Sequence, residues 1–374
     1  MKKLFFFIAA AAVAMTANAA VVNVEPGENT LLTAVGAAQA GDELVLTTGV
    51  YSLTTDETIV ITAEGLVIKA AEGATPVVEI PGEWSCIKTS VATTFDGVVF
   101  DGKGTANYLI ALVGAEEVGA ITIKNCEFRN WLKYAVSKQY ESISVSSLTV
   151  DNCLFHDGAS SAIHFNENAP AGKHGCNNLS ITNSTFYNIF IDDTQWAGVI
   201  QSSSNSEATG AQNKVLVDHI TMYNFKALNM GALVFRKSED IQISNSIIAA
   251  AENGGHYAIH IYYGKADNVL YHNSVPRTDK SAVYTNCEEK DPMFVDAANG
   301  NFALAKGSPA LGAGTDGSNL GDPRWNAPAE DDDDTTTSVE NTTVANQAQK
   351  IIRNGQILII NNGVEYNVLG AVAK

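Results

Sequence analysis

The chain has 374 residues, of which 45% are hydrophobic and 17% charged, and a formal net charge of −18. That apolar fraction supplies a real core and excludes wholesale disorder. The acidic balance excludes nucleic acid as the natural partner, because phosphates need a basic stripe, and it disfavours anionic membrane surfaces.

Lys2 and Lys3 precede an apolar run from Leu4 to Met15, and Ala17-Asn18-Ala19 follows as a small-x-small cleavage site. This pattern predicts a secretory signal peptide over residues 1–19, too short for a stable bilayer anchor, and hence a secreted or cell-surface protein without a membrane span. Thr30 to Ala40 reads as a short amphipathic helix with Leu31, Ala34, Val35 and Ala38 on one face. The turn Gly41-Asp42, the strand Glu43-Leu44-Val45-Leu46 and Gly49-Val50-Tyr51 come next.

A degenerate repeat fills the middle of the chain. Its clearest copies are Thr122 to Phe128, Thr149 to Phe155 and Ser180 to Phe186, each carrying Asn at its fourth position. Weaker copies place the key polar residues at Asn125, Asn152, Asn183, His219, Asn245 and Asn273, spaced by 27, 31, 36, 26 and 28 residues. A second polar row, Asn130, Asp157, Asn188 and Asn224, follows each core Phe or Met by two. A further strand completes each period, as in Tyr134-Ala-Val-Ser, Ser161-Ala-Ile-His, Gly231-Ala-Leu-Val and Tyr257-Ala-Ile-His. Short β-branched strands at this period, without helices between them, predict the coils of a solenoid. Asparagine tolerates the left-handed turn, and its side chain can bond the equivalent amide one coil away.

The five cysteines lack CxxC spacing, so no structural zinc site is expected. Cys126 and Cys153 share an inward slot with Ser184, Ser246 and Ser274. One coil apart, they are either stacked thiols or a disulfide.

The helix, GD turn, strand and G-x-Y unit resemble the entry segment of pectate-lyase-like parallel β-helix proteins. Asp291-Pro-Met-Phe, Gly307-Ser-Pro and Gly321-Asp-Pro-Arg-Trp325 resemble the closing segment of secreted bacterial members. The expected fold is therefore all-β: a single-stranded right-handed parallel β-helix over residues 20–326, about eight coils long, with an N-terminal helical cap. An acidic and Thr-rich linker is expected over 327–345. Residues 346–374 alternate β-formers around Asn354-Gly355 and Asn362-Gly363, two hairpin signals. This small β tail resembles type-IX-like secretion sorting domains, which would make export machinery a partner.

Aligning the second strand of each repeat on its small residue predicts an outward row of Ser137, His164, Ile200, Val234 and His260. A second outward row then reads Gln139, Asn166, Ser202, Arg236 and Tyr262. Long insertions at 166–178 and 202–214 would wall a groove on this side. Trp131 and Trp196, in the turns before these strands, are either sugar-stacking platforms or loop anchors packed on the coil.

The resemblance implies acidic polysaccharides as partners and β-elimination as the reaction. Elimination needs a cation to neutralise the uronate carboxylate and a base to take the neighbouring proton. Arg236 suits the first role and His260 or Tyr262 the second, with His164, Asn166, Lys138, Trp131 and Trp196 as substrate contacts. Calcium is the alternative neutraliser, with Asp157, Glu167, Asp192 and Asp193 as its best nearby ligands, although no cage of six to eight oxygens stands out. A non-catalytic glycan-binding or surface-scaffold protein using the same groove stays open beside the enzyme. Glycoside hydrolysis needs two facing carboxylates, and no such pair is evident.

Overall fold

Each coil turns on residues that few side chains can replace. Asn125, Asn152, Asn183, His219 and Asn245 all adopt a left-handed backbone, with φ between 49° and 55°. The expected amide ladder forms in the early coils, where Asn152 donates to Asn125 Oδ1 at 2.7 Å and Asn125 to Asp96 Oδ1 at 2.7 Å, whereas Asn183 and Asn245 donate to Asp151 and Asp218 at 2.8 and 2.9 Å. The second polar row does the same, Asn224 donating to Asn188 at 2.7 Å and Asn188 to Asp157 at 3.1 Å. One member differs from expectation. Strand register pairs Ser244 with Asp267 and Ser246 with Val269, so Asn268 rather than Asn273 continues the first ladder. Asn286, which donates to Asn268 Oδ1 at 2.8 Å, extends it. Asn273 is also left-handed but donates to Ala250, one strand further round the coil. Val269, not Ser274, therefore fills the inward slot.

This computed structural model describes residues 19–326 except 115, 139–141, 166–174, 203–213, 237, 239 and 256, and the backbone of the tail strands within 349–367. Most of the expected signal peptide, the linker at 327–345 and Asn166 lie outside the described residues. Residues 1–329 and 330–374 form separate compact units.

The first unit is a parallel β-solenoid. Two sides of each coil belong to one 17-stranded sheet, and the third forms an eight-stranded sheet running from Thr58–Ile61 to Ile259–Ile261. Identical positions stack from coil to coil, as Phe128 on Phe155, Ile123 on Val150 and Val136 on Ile163. Phe100, Phe128, Phe155 and Phe186 form a stack with ring centroids 4.9, 4.5 and 4.8 Å apart. That repeat is close to the strand spacing, so one buried aromatic per coil stacks directly on the next. All five cysteines are free thiols, Cys126 and Cys153 being buried stacked residues.

The helix is shorter than expected, Thr30–Ala37, and buries Leu31 and Val35 against the first coils. The closing segment departs more. It doubles back along the solenoid flank. The Asp322 N–H donates to Thr221 Oγ1 at 2.9 Å, Thr185 Oγ1 donates to Asp322 at 2.7 Å, and Trp325 Nε1 donates to Thr185 at 2.8 Å. Arg324 then reaches Asn152 Oδ1 at 2.7 Å. Phe302 packs on Tyr187 and Tyr223, with centroids 5.2 and 5.5 Å away. This strap lies on the side of the 17-stranded sheet.

The tail is a three-stranded antiparallel sheet, Gln349–Arg353, Gln356–Asn361 and Val364–Asn367. Arg353 pairs with Gln356 and Asn361 with Val364, the registers of the two expected hairpins. No helix among the described residues is long and apolar enough to cross a membrane.

Candidate functional site

The outer row of the eight-stranded sheet is Ala111, Ser137, His164, Gln201, Val234 and His260. Gln201 takes the place expected for Ile200, because the register pairs Ile200 with the inward Ile163. Ser202 likewise pairs with Phe165. The row is not the open groove floor that alternation predicts. Every member is buried, His164 to 5% and His260 to 4% exposure.

The two histidines sit in different chemistry. His164 stacks on Tyr134, centroids 4.3 Å apart and planes 10° off parallel, and its Nδ1 lies 3.4 Å from Ser161 Oγ. Burial, reinforced by the Lys138 charge, pulls its pKa down to about 4, so the ring is neutral. Lys138 is itself fully buried, donating from Nζ to the Ile143 carbonyl at 3.1 Å. Desolvation lowers its pKa to about 8. Neither group is a freely accessible sugar contact.

At the last coil, the His260 Nδ1 lies 3.0 Å from the Met230 carbonyl and Nε2 lies 2.6 Å from Arg277 Nη1. A carbonyl only accepts and a guanidinium only donates, so His260 is the neutral tautomer with its proton on Nδ1. Its Nε2 lone pair is committed to Arg277. The expected base therefore faces the Arg277 guanidinium through Nε2.

Arg277 is the cation that the repeat pattern did not reveal. Its Nε pairs with Asp279 Oδ1, and Nη2 donates to Asp279 Oδ2 at 2.9 Å. Its Cζ lies 5.2 Å from the centre of the Tyr262 ring and 5.7 Å from that of Tyr257, and Lys280 Nζ lies 5.2 Å from Tyr262. Such distances make cation–π contacts. The Asp279 partner holds the guanidinium firmly protonated, and Arg277 in turn draws the Asp279 carboxyl down to about 2. The repeat copies end at Val275, so no register placed Arg277. Only the closing of the last coil does, the Arg277 N–H donating to the Ile259 carbonyl at 2.8 Å.

The remaining expected residues scatter. Half-buried Arg236 follows Gly231–Phe235, whose Phe235 pairs with Ile261, and therefore sits one coil from Tyr262. Trp131 cannot be a sugar platform: it is 1% exposed, its indole N–H donates to the Ser160 carbonyl at 3.0 Å, and its ring meets Phe155 edge-on. Gly158 makes room for it, since a Cβ there would lie 2.1 Å from the indole. Trp196, 73% exposed, is available. The proposed calcium ligands disperse: Asp157 bonds His156 and Asn188, Asp192 bonds Thr194, and Asp193 pairs with Lys226. Glu167 lies outside the described residues. Among the described residues, no three His, Cys, Asp or Glu converge as a metal site.

Two family models match, both described as domains of unknown function: DUF4957 over residues 49–189 and DUF5123 over residues 179–325. No curated protein matches the chain. Among solved structures, the PL6 family alginate lyase AlyGC is 18% identical with a TM-score of 0.45, over 72% of this chain and 40% of that one. The chain thus spans about two fifths of that lyase. Pectate lyase Pel9A is 13% identical with a TM-score of 0.37, over 79% of this chain and 92% of that one. The PL6 family polysaccharide lyase Pedsa3628 from Pseudopedobacter saltans is 11% identical with a TM-score of 0.22, over 74% and 94%. None of these similarities assigns a reaction to this chain.

Proposed function

We propose that this chain is an exported, polysaccharide-active β-solenoid that cleaves a uronate-containing glycan by β-elimination at its last coil. The observation that carries this is the placement of Arg277 and Lys280 against Tyr262. A uronate carboxylate paired with Arg277 loses the charge that opposes proton loss from the adjacent carbon. The Tyr262 oxygen, once it has given its own proton to solvent, takes that proton. The electron pair becomes a carbon–carbon double bond, the neighbouring carbon–oxygen glycosidic bond breaks, and the departing oxygen recovers the proton from the tyrosine. His260 fixes the guanidinium plane, and Arg236 adds positive charge one coil away. The dispersed carboxylates do not fit a calcium cage, so no step is routed through the ion.

The second reading is a non-catalytic glycan-binding scaffold. It is favoured by Asp279, which already fills two donors of the Arg277 fork. Ultraviolet absorbance of the mature protein with pectin, alginate and glucuronoxylan separates the two, because elimination creates an absorbing unsaturated uronate. Elimination predicts a signal that chelator leaves intact and that Arg277→Ala and Tyr262→Phe each abolish. Silence across the panel with retained binding would establish the scaffold.

A further inference from the structure

Asp42 sits in the turn between the helix Thr30–Ala37 and the strand Glu43–Leu46, and is only 6% exposed. Its Oδ1 accepts the Ala20 N–H at 2.8 Å, and its Oδ2 accepts the Gln39 N–H at 2.7 Å. These two amides, Ala20 foremost, hold the carboxyl below its ordinary value, so the group is a carboxylate. A carboxylate withdrawn from water normally has a cation beside it. Among the described residues, no lysine, arginine or histidine forms an ion pair with Asp42; Lys69, on the next rung, pairs with Glu43 instead.

The missing cation has a source in the chain itself. The cleavage expected after Ala19 makes Ala20 the first residue of the mature protein. Hydrolysis of the Ala19–Ala20 peptide bond consumes one water, leaves a carboxylate on Ala19 and gives Ala20 a primary amine. That amine takes up a proton at neutral pH. The nitrogen that donates a neutral N–H to Asp42 thus becomes an ammonium. Its position is held from the strand side, because the Ala20 carbonyl accepts the Glu43 N–H at 2.8 Å and Val21 to Val24 pair with Glu43 to Leu46. We infer that Asp42 is the receptor for the mature N-terminus, a preformed site that converts signal-peptide removal into an ion pair across the first rung of the solenoid. This goes beyond the glycan chemistry and rests only on the export reading. The other charged residues on the elements packed around the pair are Glu43, held by Lys69, and Glu64, whose carbonyl accepts the Gly41 N–H at 2.8 Å. The helix Thr30–Ala37 carries no charge. An ammonium bonded to Asp42 has its pKa raised above the ~8 of a free α-amine. Its contribution to stability is full below that value and fades as pH rises through the raised one.

The test starts from the exported protein, whose N-terminal sequence should read Ala20-Val21-Val22-Asn23. Trace acetylation by acetic anhydride, followed on the N-terminal peptide by mass spectrometry across a pH series, gives the pKa of the amine, because only its neutral form reacts. The expected midpoint lies about one unit or more above 8, a tenfold gain in proton affinity, and Asp42→Asn should return it to about 8. A chain carrying Gly-Ser before Ala20 retains Asp42 but moves the charge away, so it keeps the test open if Asp42→Asn fails to fold. At pH 7 the mature chain should unfold at a higher temperature than this extended one, and the gap should close by about pH 10.5. A midpoint at or below 8, a midpoint that Asp42→Asn leaves unmoved, or equal stability of the two chains at pH 7 would each overturn the receptor. A first residue other than Ala20 would overturn it together with the cleavage site, while leaving the glycan chemistry at Arg277 untouched.

Discussion

His156 and His164 lie in one coil, eight residues apart, and both point away from the core, yet they end in opposite states. His156 stands between Glu127 at 3.2 Å and Asp157 at 2.7 Å, and these carboxylates outweigh burial and raise its pKa. Among the described residues, no carboxylate bonds His164. It has the Tyr134 ring and the Lys138 charge, and its pKa falls to about 4. One flank of the solenoid is therefore an ion-paired surface, carrying Asp101, Arg129, Glu127 and His156. The other is a buried polar row. The difference teaches that facing outward from a coil does not mean facing water.

The comparison breaks most severely at the anchor between the two sides. Trp131→Ala should cost about 3–5 kcal/mol, because a fully buried indole leaves a cavity that the stacked Phe155 cannot fill. Thermal unfolding measures this, and a loss under 1 kcal/mol would show the site to be collapsible or wet.

The titrations come next. A histidine whose folded pKa lies below the unfolded ~6.5 favours folding fully above pH 6.5, and that stability is lost as pH falls towards 4. The full span is roughly 3 kcal/mol. His164→Phe should remove this dependence from urea-unfolding curves taken between those pH values. His156 works in the other direction. Its folded pKa is raised, so its contribution is present below the unfolded value and fades as pH rises through the folded one. NMR titration should place the two midpoints on opposite sides of 6.5. Finding them on the same side would dissolve the contrast.

A smaller effect tests the ladder that both sides share. Asn152→Ala loses a hydrogen bond to Asn125, the acceptor for Arg324 and a tolerant left-handed residue, worth about 1–2 kcal/mol together. Asn152→Gly should recover part of it by relieving the backbone. A glycine no better than alanine would show that the side-chain bonds carry the whole effect.

The left-handed turns, the stacked phenylalanines and the two tail hairpins were legible in the chain because each is local or recurs at a fixed interval. Asn125 and Phe128 announce themselves again at Asn152 and Phe155. The site was legible only in part. Tyr262 and His260 were visible as the end of a repeating row, but the tautomer of His260 depends on Met230 and Arg277, 30 and 17 residues away. Arg277 lies past the last repeat copy, where no period predicts a neighbour. Trp131 and Trp196 looked equivalent, and only the Ser160 carbonyl and the space at Gly158 separate the anchor from the exposed ring.

By itself the sequence determined the solenoid, since a period of polar turns and inward aromatics has one way to bury its apolar face, by stacking on its own copies. The tertiary structure alone decided which outward residues meet water, because a strap held by Asp322 and Trp325 and a row buried around His164 are products of long-range packing. Alternation along a strand specifies direction. It cannot specify what lies beyond the side chain, and that is what sets charge, proton position and access.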